Sequence, residues 1–332
     1  MLIDIFETME TLSGVFGPSG SETAVAEKIM ELAQPYADEI TVDVMGNVTA
    51  RKEGGGKKVM FSAHMDTIGL IVTHIDEHGF LRISNLGGIL PERVLGSLVV
   101  FADGTRGVIG CDGKADRKNL RLDNFFIDIG ARNEEDAREK VRPGSTAVYD
   151  QPCVMLGYKI AAPYLDDRIA CVALLAAMER IAKPVNDLYF VFSAQEELGC
   201  RGAKTAAYAI EPDYGFAVDV TRTGDTPEAS PKMEVKLGGG AAIKVMDTSV
   251  MCHPRVVEFL RKKAEDGKIP HQMEVLLLGG TDASAIQVSR GGAYAGGISI
   301  PTRYIHSPLE ICDLGDVEAC VDLIIAASGI NI

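Results

Sequence analysis

The stretch Phe192-Ser193-Ala194-Gln195-Glu196-Glu197-Leu198-Gly199 constrains this chain more than any other. Leu188 to Phe192 is a short apolar run with aromatic and β-branched residues, which predicts a buried strand. Two adjacent carboxylates follow its end. Burial opposes the charged form of a carboxylate. A fold that delivers two of them from a buried strand needs a metal ion or an acid-base task to justify them. One can ligate a metal while the other faces a bound water. Taken alone, the stretch also fits a solvated pair on a loop.

In chain order, Ile3, Phe6, Met9 and Leu12 predict a helix over Leu2 to Leu12, broken by Phe16-Gly17-Pro18. Ser19 and Glu22 have capping-box spacing ahead of a second helix that buries Val25, Ile29 and Leu32. Ile40 to Val44, Val48 to Ala50 and Val59 to Ala63 read as strands. This order implies an α/β domain rather than a bundle. From Gly69 the texture changes. Leu70 to Thr73, Phe80 to Ile83, Leu98 to Phe101, Thr105 to Ile109 and Phe125 to Ile129 are short strands among glycine turns, with an acidic helix start at Asn133 and a strand at Ala147 to Tyr149. They predict a compact β-rich domain inserted into the α/β one. The fold class is thus α/β, with a discontinuous α/β domain over 1–68 and 160–332 and an inserted β-rich domain over 69–159.

Past the insert, Tyr164-Leu165-Asp166-Asp167-Arg168 precedes an apolar helix with Ile169, Val172, Ala173, Ala176 and Ala177 in the core. The aspartates either cap this helix or bridge two metals, and Arg168 would neutralise or orient a carboxylate. Tyr214 to Val220 is a strand carrying Asp219 at its end, where open parallel sheets collect chemistry. Thr221 to Gly240 is a polar, glycine-rich rim. His253-Pro254 opens a helix, and Met273 to Leu278 predicts a buried strand. Asp282 is expected to cap Ala283 to Val288, and Asp313 the final helix.

The chain's 332 residues, 46% hydrophobic, suit one large or two ordinary domains. A net charge of -14 argues against nucleic acid or an anionic membrane as partner. No uninterrupted apolar span is long enough to cross a membrane, and the start lacks a signal-peptide pattern. The seven cysteines form no CxxC or zinc-like cluster. A reducing cytoplasm is the expected setting. The absence of Trp weakens any sugar-stacking cleft.

The polar residues that remain form a coherent set. His64 ends a strand in Ser62-Ala63-His64-Met65-Asp66, where Asp66 would accept from the other ring nitrogen. His306 lies in the loop Tyr304-Ile305-His306-Ser307-Pro308. With Asp166, Glu197 and Asp219 they make two histidines and three carboxylates, which can hold two zinc or cobalt ions. Glu196 is left as the acid-base residue.

Taken together and in order, Ser62 to Gly69, Leu165 to Arg168, Ser193 to Gly202, Val218-Asp219, Gly279 to Ile286 and Ile298 to Glu310 resemble the M42 family of metallo-aminopeptidases, over nearly the whole chain. That family includes glutamyl aminopeptidases and proteins labelled as the CelM endoglucanase. The resemblance implies a mixed-sheet metallopeptidase catalytic domain over 1–68 and 160–332, with the β-rich insert over 69–159 serving oligomerisation. His64 would bind one of two divalent metals, Asp166 would bridge both, Glu197 and Asp219 would complete opposite sites, and His306 would bind the second. Zinc or cobalt is expected, with manganese as a third choice. Glu196 would be the general base and Asp66 would orient His64. The β-rich insert would build a homo-oligomer of twelve subunits acting on short peptides with free N-termini. Cys111-Asp112-Gly113-Lys114 stands where the family has Pro-Pro-His.

Glutamyl or aspartyl, leucyl and broad specificity all remain open. Arg222, Lys232, Lys236 and Arg255 are the basic residues of the rim. Two other function classes compete. A glycoside hydrolase would use Glu196 and Glu197 as its acid-base pair, and a noncatalytic assembly protein would bind peptides without cleaving them.

Overall fold

The computed structural model describes residues 3–230 and 232–332. Met1 and Leu2, where the first expected helix begins, lie outside them. The chain opens with α1 (Ile5–Ser13) and α2 (Thr23–Ala33), then the hairpin of β1 (Glu39–Val42) and β2 (Val48–Lys52), then β3 (Lys58–His64). It continues through β4 (Gly69–Ile75), β5 (Leu81–Leu86), β6 (Leu98–Phe101), β7 (Arg106–Cys111), β8 (Phe125–Asp128), α3 (Glu134–Lys140) and β9 (Thr146–Tyr149). After these come the hairpin of β10 (Val154–Leu156) and β11 (Lys159–Ala162), then α4 (Leu165–Arg180), β12 (Asp187–Ser193), α5 (Arg201–Ile210) and β13 (Tyr214–Thr221). The chain ends with β14 (Ala241–Met246), α6 (Pro254–Gly267), β15 (His271–Val275), α7 (Ala283–Gln287), β16 (Tyr294–Arg303), β17 (Glu310–Asp313) and α8 (Leu314–Ala327).

Eleven strands form one mixed sheet, and six, β4 to β9, close into a separate barrel. At the heart of the sheet β12, β3 and β13 run side by side and parallel, and β16 continues parallel on β13. Alternation along β3 fills both faces. Val59, Phe61 and Ala63 join the core under α4 and α8, whereas Met60 joins a second core with Ala206, Ala207 and Ile286 of α5 and α7. Phe61 stacks between Phe190 and Phe216, with centroids 5.5 and 5.2 Å away. α4 is buried continuously from Leu165 to Met178. A helix apolar on all sides has to be central, and this one packs against α1, α8, β3 and β13. The barrel has its own core, with Leu70, Val72, Leu81, Val99, Phe125 and Ile127 buried. Closing the sheet removes its open edges.

Several expectations are corrected. Ser19 and Glu22 form no capping box: the Ser19 hydroxyl donates to Asp66, and Glu22 accepts from the Gly20 and Gln195 N–H groups. Met273 to Leu278 is not a buried strand. β15 is an edge strand in which only Glu274 is buried, and Leu277 and Leu278 lie beyond it, exposed. Arg168 forms no ion pair with a carboxylate among the described residues. Its buried guanidinium donates to the carbonyls of Leu12, Val15, Met65 and Gly17, and so ties the end of α1 and the turn after it to the end of β3. The range 69–159 also reaches past the barrel, whose last strand ends at Tyr149. β10 turns at Gly157 (φ 65°) to pair with β11 in the large sheet. Asp313 does cap α8, accepting from the Gly315 N–H.

Phe61 carries the packing of the three strands that deliver the polar residues to the sheet's edge. Phe61→Ala is expected to lower unfolding free energy by about 3–5 kcal/mol, read from urea denaturation. A loss below about 1 kcal/mol would mean that the stack does not anchor the sheet.

Candidate metal centre

Strand register sets the polar residues level with one another. Ser193 pairs with His64, and Ala217 pairs with Ser62, two residues before Asp219 and His64. His64 closes β3, Glu196 and Glu197 follow β12, and Asp219 stands near the end of β13. Asp166 comes from the first turn of α4, where it and Asp167 depart from helical backbone. His306 follows β16 in a left-handed conformation (φ 63°). Tyr164, Gln195, Cys200 and Tyr304 are also left-handed. Such residues are uncommon outside glycine and tend to gather where geometry is held for a purpose.

His64, Asp166, Glu196, Glu197, Asp219 and His306 line a single cleft of about 610 Å³. Asp166 is its centre: Oδ1 lies 3.0 Å from His64 Nε2 and Oδ2 lies 3.1 Å from His306 Nε2. Glu197 Oε1 is 3.2 Å from His306 Nε2, and Glu196 Oε2 is 3.8 Å from His64 Nε2. Donor atoms of His64, Asp166 and Glu197 fall within 4.8 Å of one another, as do those of His64, Asp167 and Asp219. The structure therefore brings together every residue of the expected ligand set, with Asp166 presenting one oxygen to each imidazole.

The electrostatics are those of an anionic nest. Burial pushes the Glu196 carboxyl well up, with His64 opposing, and lifts Glu197 against the pull of His306. Asp219 and Asp167 are raised by burial and by neighbouring carboxylates. Asp166 alone is held low: burial raises it, but His306 and His64 together outweigh that. Burial would lower both imidazoles, yet Asp166 and its neighbours hold His64 well above its ordinary value and His306 at about 11. Five carboxylates face two imidazoles, and Asp167 Oδ1 is buried with no hydrogen-bond partner among the described residues. Unpaired buried carboxylate oxygens are costly. Divalent cations would relieve this excess of negative charge, and the imidazole and carboxylate donors suit zinc, cobalt or manganese.

A second layer holds these groups in place. Asp66 accepts from the Glu196 and Glu197 N–H groups at 2.9 and 3.3 Å and from the Ser19 hydroxyl. His64 Nδ1 lies 3.0 Å from the Asp66 carbonyl oxygen and 3.6 Å from its carboxylate, so the main chain supplies the expected acceptor. Glu310 accepts from the Asp166 and His306 N–H groups, both at 2.8 Å. Asp282 makes no side-chain cap on α7; it accepts from the Ser62 and Ser193 hydroxyls and ties β3 to β12. Buried Lys244 pairs with Glu274 and contributes positive charge to the surroundings of Asp219. The barrel side contributes a close approach. A Cβ on Gly87 would meet Glu197 Oε2 at 2.6 Å, and one on Gly88 would meet His306 Nδ1 at 2.7 Å.

The sequence singled out neither Glu310 nor Lys244. The signal for Glu310 was its position four residues after His306; Lys244 had none, because its partner Glu274 lies on a different strand. Of the four basic rim residues, Arg222 lines the cleft, while Arg255 lies over the Tyr294 ring and Lys232 and Lys236 are exposed elsewhere. Lys204, which the sequence did not single out, also lines the cleft.

The sequence model of the M42 glutamyl aminopeptidase family matches residues 46–323. The lysyl aminopeptidase of Pyrococcus furiosus is 36% identical, with 96% of this chain and 95% of that one covered. Among solved structures, aminopeptidase APDkam598 from the archaeon Desulfurococcus kamchatkensis superposes with a TM-score of 0.94 at 40% identity, covering 98% of this chain and 94% of that chain. The Pyrococcus horikoshii TET1 peptidase, described as assembling into a tetrahedron or a large octahedral shell, has a TM-score of 0.90 at 32% identity, covering 99% and 100%.

Asp66→Ala removes the acceptor that fixes the main chain of both glutamates. Divalent-cation affinity, followed by titration calorimetry on folded protein, is expected to fall about 10–100-fold, the scale for groups that orient ligands. Unchanged affinity would mean that the Glu196-Glu197 loop holds its position without Asp66.

Proposed function

The chain belongs to the M42 glutamyl aminopeptidase family, and from that premise we propose that it releases N-terminal residues from short peptides with the help of two divalent cations. One observation carries the cation part: the two oxygens of Asp166 face two different imidazoles, each beside a further carboxylate. His64, Asp166 and Asp219 would hold one cation; Asp166, Glu197 and His306 would hold the other. Zinc and cobalt lead, with manganese third. The chemistry supplied by such ions when bound is Lewis acidity, which makes a water more acidic and polarises a scissile carbonyl.

This division leaves Glu196 free for proton transfer. It takes the proton of the attacking water and returns it to the leaving amine. Burial raises its carboxyl, so it holds that proton more readily than a solvated glutamate would. Asp66 fixes the main chain of both glutamates and so keeps their roles apart. The anionic edge also suits the α-ammonium group of a peptide, which an internal peptide bond lacks. Leu276, Leu278 and Val288 give the cleft an apolar wall. That wall supports leucyl or broad specificity over a purely glutamyl one.

The glycoside hydrolase reading is not favoured. Both glutamates stand against imidazoles, and two of the relatives above are named as aminopeptidases and the third as a peptidase. No helix among the described residues is long and apolar enough to cross a membrane. We read the barrel as the assembly domain of a twelve-subunit homo-oligomer. A stable monomer in native mass measurements at working concentration would contradict this.

The adjacent glutamates give the sharpest test. Glu196→Gln is expected to keep most of the bound metal and lose peptide hydrolysis by roughly 10²–10⁴-fold. Glu197→Gln should weaken one metal site as well as turnover. Metal stoichiometry and aminopeptidase kinetics on wild type and both variants decide the matter. Full activity in Glu196→Gln, with catalysis lost in Glu197→Gln at full metal load, would reverse the two roles. Normal turnover in both would remove this stretch from the catalytic centre. Peptide binding without cleavage by the wild type across zinc, cobalt and manganese would favour the noncatalytic alternative.

A further inference from the structure

The cleft has a side branch of about 180 Å³ with a different character. Its wall is shared with the main cleft through Arg222 and Ile305. Arg93 enters it from the short turn Pro91–Arg93, between β5 and β6 on the barrel side, and Arg222 from just past the end of β13. Arg303 lines it too, but its charge is taken by Asp225, with contacts of 3.0 and 2.7 Å. Arg93 donates only to the Ile305 carbonyl, at 3.3 Å, and Arg222 makes no hydrogen bond among the described residues. Neither guanidinium takes part in an ion pair there. Burial depresses the Arg222 guanidinium and the charge of Arg93 depresses it further, while Asp166 pulls the other way. In a chain of net charge -14, two arginines that line one recess without an ion-pair partner among the described residues leave room for an anion.

We propose that Arg93 and Arg222, one from each domain, form a subsite for the free C-terminal carboxylate of a short peptide substrate. The inference rests on the aminopeptidase reading and deepens it by naming which peptides the cleft takes best. The two recesses differ in kind. The apolar wall of Leu276, Leu278 and Val288 suits the side chain of the residue being removed, and the basic branch suits a carboxylate at the other end of the molecule. Planar guanidinium groups pair with carboxylates through two parallel hydrogen bonds. An anchor at a fixed distance from the scissile bond selects for length as well as charge. The enzyme would thus prefer one short peptide length and treat the amide of the same peptide as a poorer substrate.

The test compares leucyl-glycine peptides of two to five residues as free acids and as C-terminal amides, on the metal-replete enzyme. Wild type is expected to show a KM about 10–100-fold lower for the acid than for the amide at one favoured length, and the acid-to-amide ratio should fall towards one in the Arg93→Gln, Arg222→Gln double variant. Raised salt should shrink the ratio in wild type as well. A ratio near one at every length in wild type overturns the proposal, as does a ratio that survives the double variant. Glutamyl p-nitroanilide supplies a further arm. If the variants lose KM for that substrate while the leucyl acid-to-amide ratio stays intact, the branch serves an acidic N-terminal side chain and the proposal fails. Hydrolysis of the leucyl amides by wild type checks the aminopeptidase reading separately. If no peptide of any kind is cleaved, it is that reading which fails.

Discussion

Five carboxylates, Asp166, Asp167, Glu196, Glu197 and Asp219, are buried or nearly so around two imidazoles at the ends of neighbouring parallel strands. Like charges in a low-dielectric setting repel strongly, and each pays for lost hydration. Much of the surrounding structure works against that cost. His64 and His306 face opposite oxygens of Asp166 and keep it ionised, whereas burial pushes the others towards their protonated forms. Behind Asp219, Lys244 adds a positive charge, itself fully buried and held by Glu274. A cluster of this kind is poor material for stability and good material for binding cations.

Geometry is held as firmly as charge. The Asp66 carboxylate grips the main chain of both glutamates, Glu310 grips the main chain of Asp166 and His306, and Asp282 clamps the hydroxyls of Ser62 and Ser193. Three carboxylates therefore position the others without entering the ligand set. Backbone strain points to the same place. Left-handed residues outside glycine cost of order 1–3 kcal/mol each; Tyr164, Gln195, Tyr304 and His306 lie at or within two residues of Asp166, Glu196 or His306, while Cys200, Glu211, Glu228, Lys268 and Arg290 lie farther along the chain from them. The layer that holds this strain is ordinary packing, chiefly α4 and the Phe190–Phe61–Phe216 stack beneath the sheet.

The barrel is more than an appendage to this site. Gly87 and Gly88, just past β5, pass so close to Glu197 and His306 that neither position has room for a side chain. The next turn carries Arg93 to the cleft's side branch. A domain inserted after β3 thus forms part of the wall around residues delivered by β12 and β16. Two cores that fold on separate hydrophobic clusters share one cleft.

What the sequence determined by itself was local. Periodicity placed β3, β12, β13 and α4, turn chemistry marked out a β-rich insert, and residue type singled out His64, Glu196, Glu197 and Asp219 at or just past strand ends, Asp166 at the start of a helix and His306 in a loop. These features are written in short windows, because alternation and residue type need no knowledge of distant partners. The pairing of charges was not written there. Ser19 looked like a helix cap and serves Asp66; Asp282 looked like a cap and serves two serines; Arg168 looked like a carboxylate's partner and serves carbonyls. The strands β14 and β17, which the sequence reading did not mark, are placed by their pairing with β16. Met273 to Leu278 carried the pattern of a buried strand but lies at the sheet's edge, where Glu274 and Leu276 are buried and Met273, Val275, Leu277 and Leu278 are exposed. A polar side chain takes whichever acceptor or donor the folded chain brings within about 3 Å, and a strand is buried only if another element covers it. Both depend on contacts between residues far apart in sequence, so only the tertiary structure could decide them.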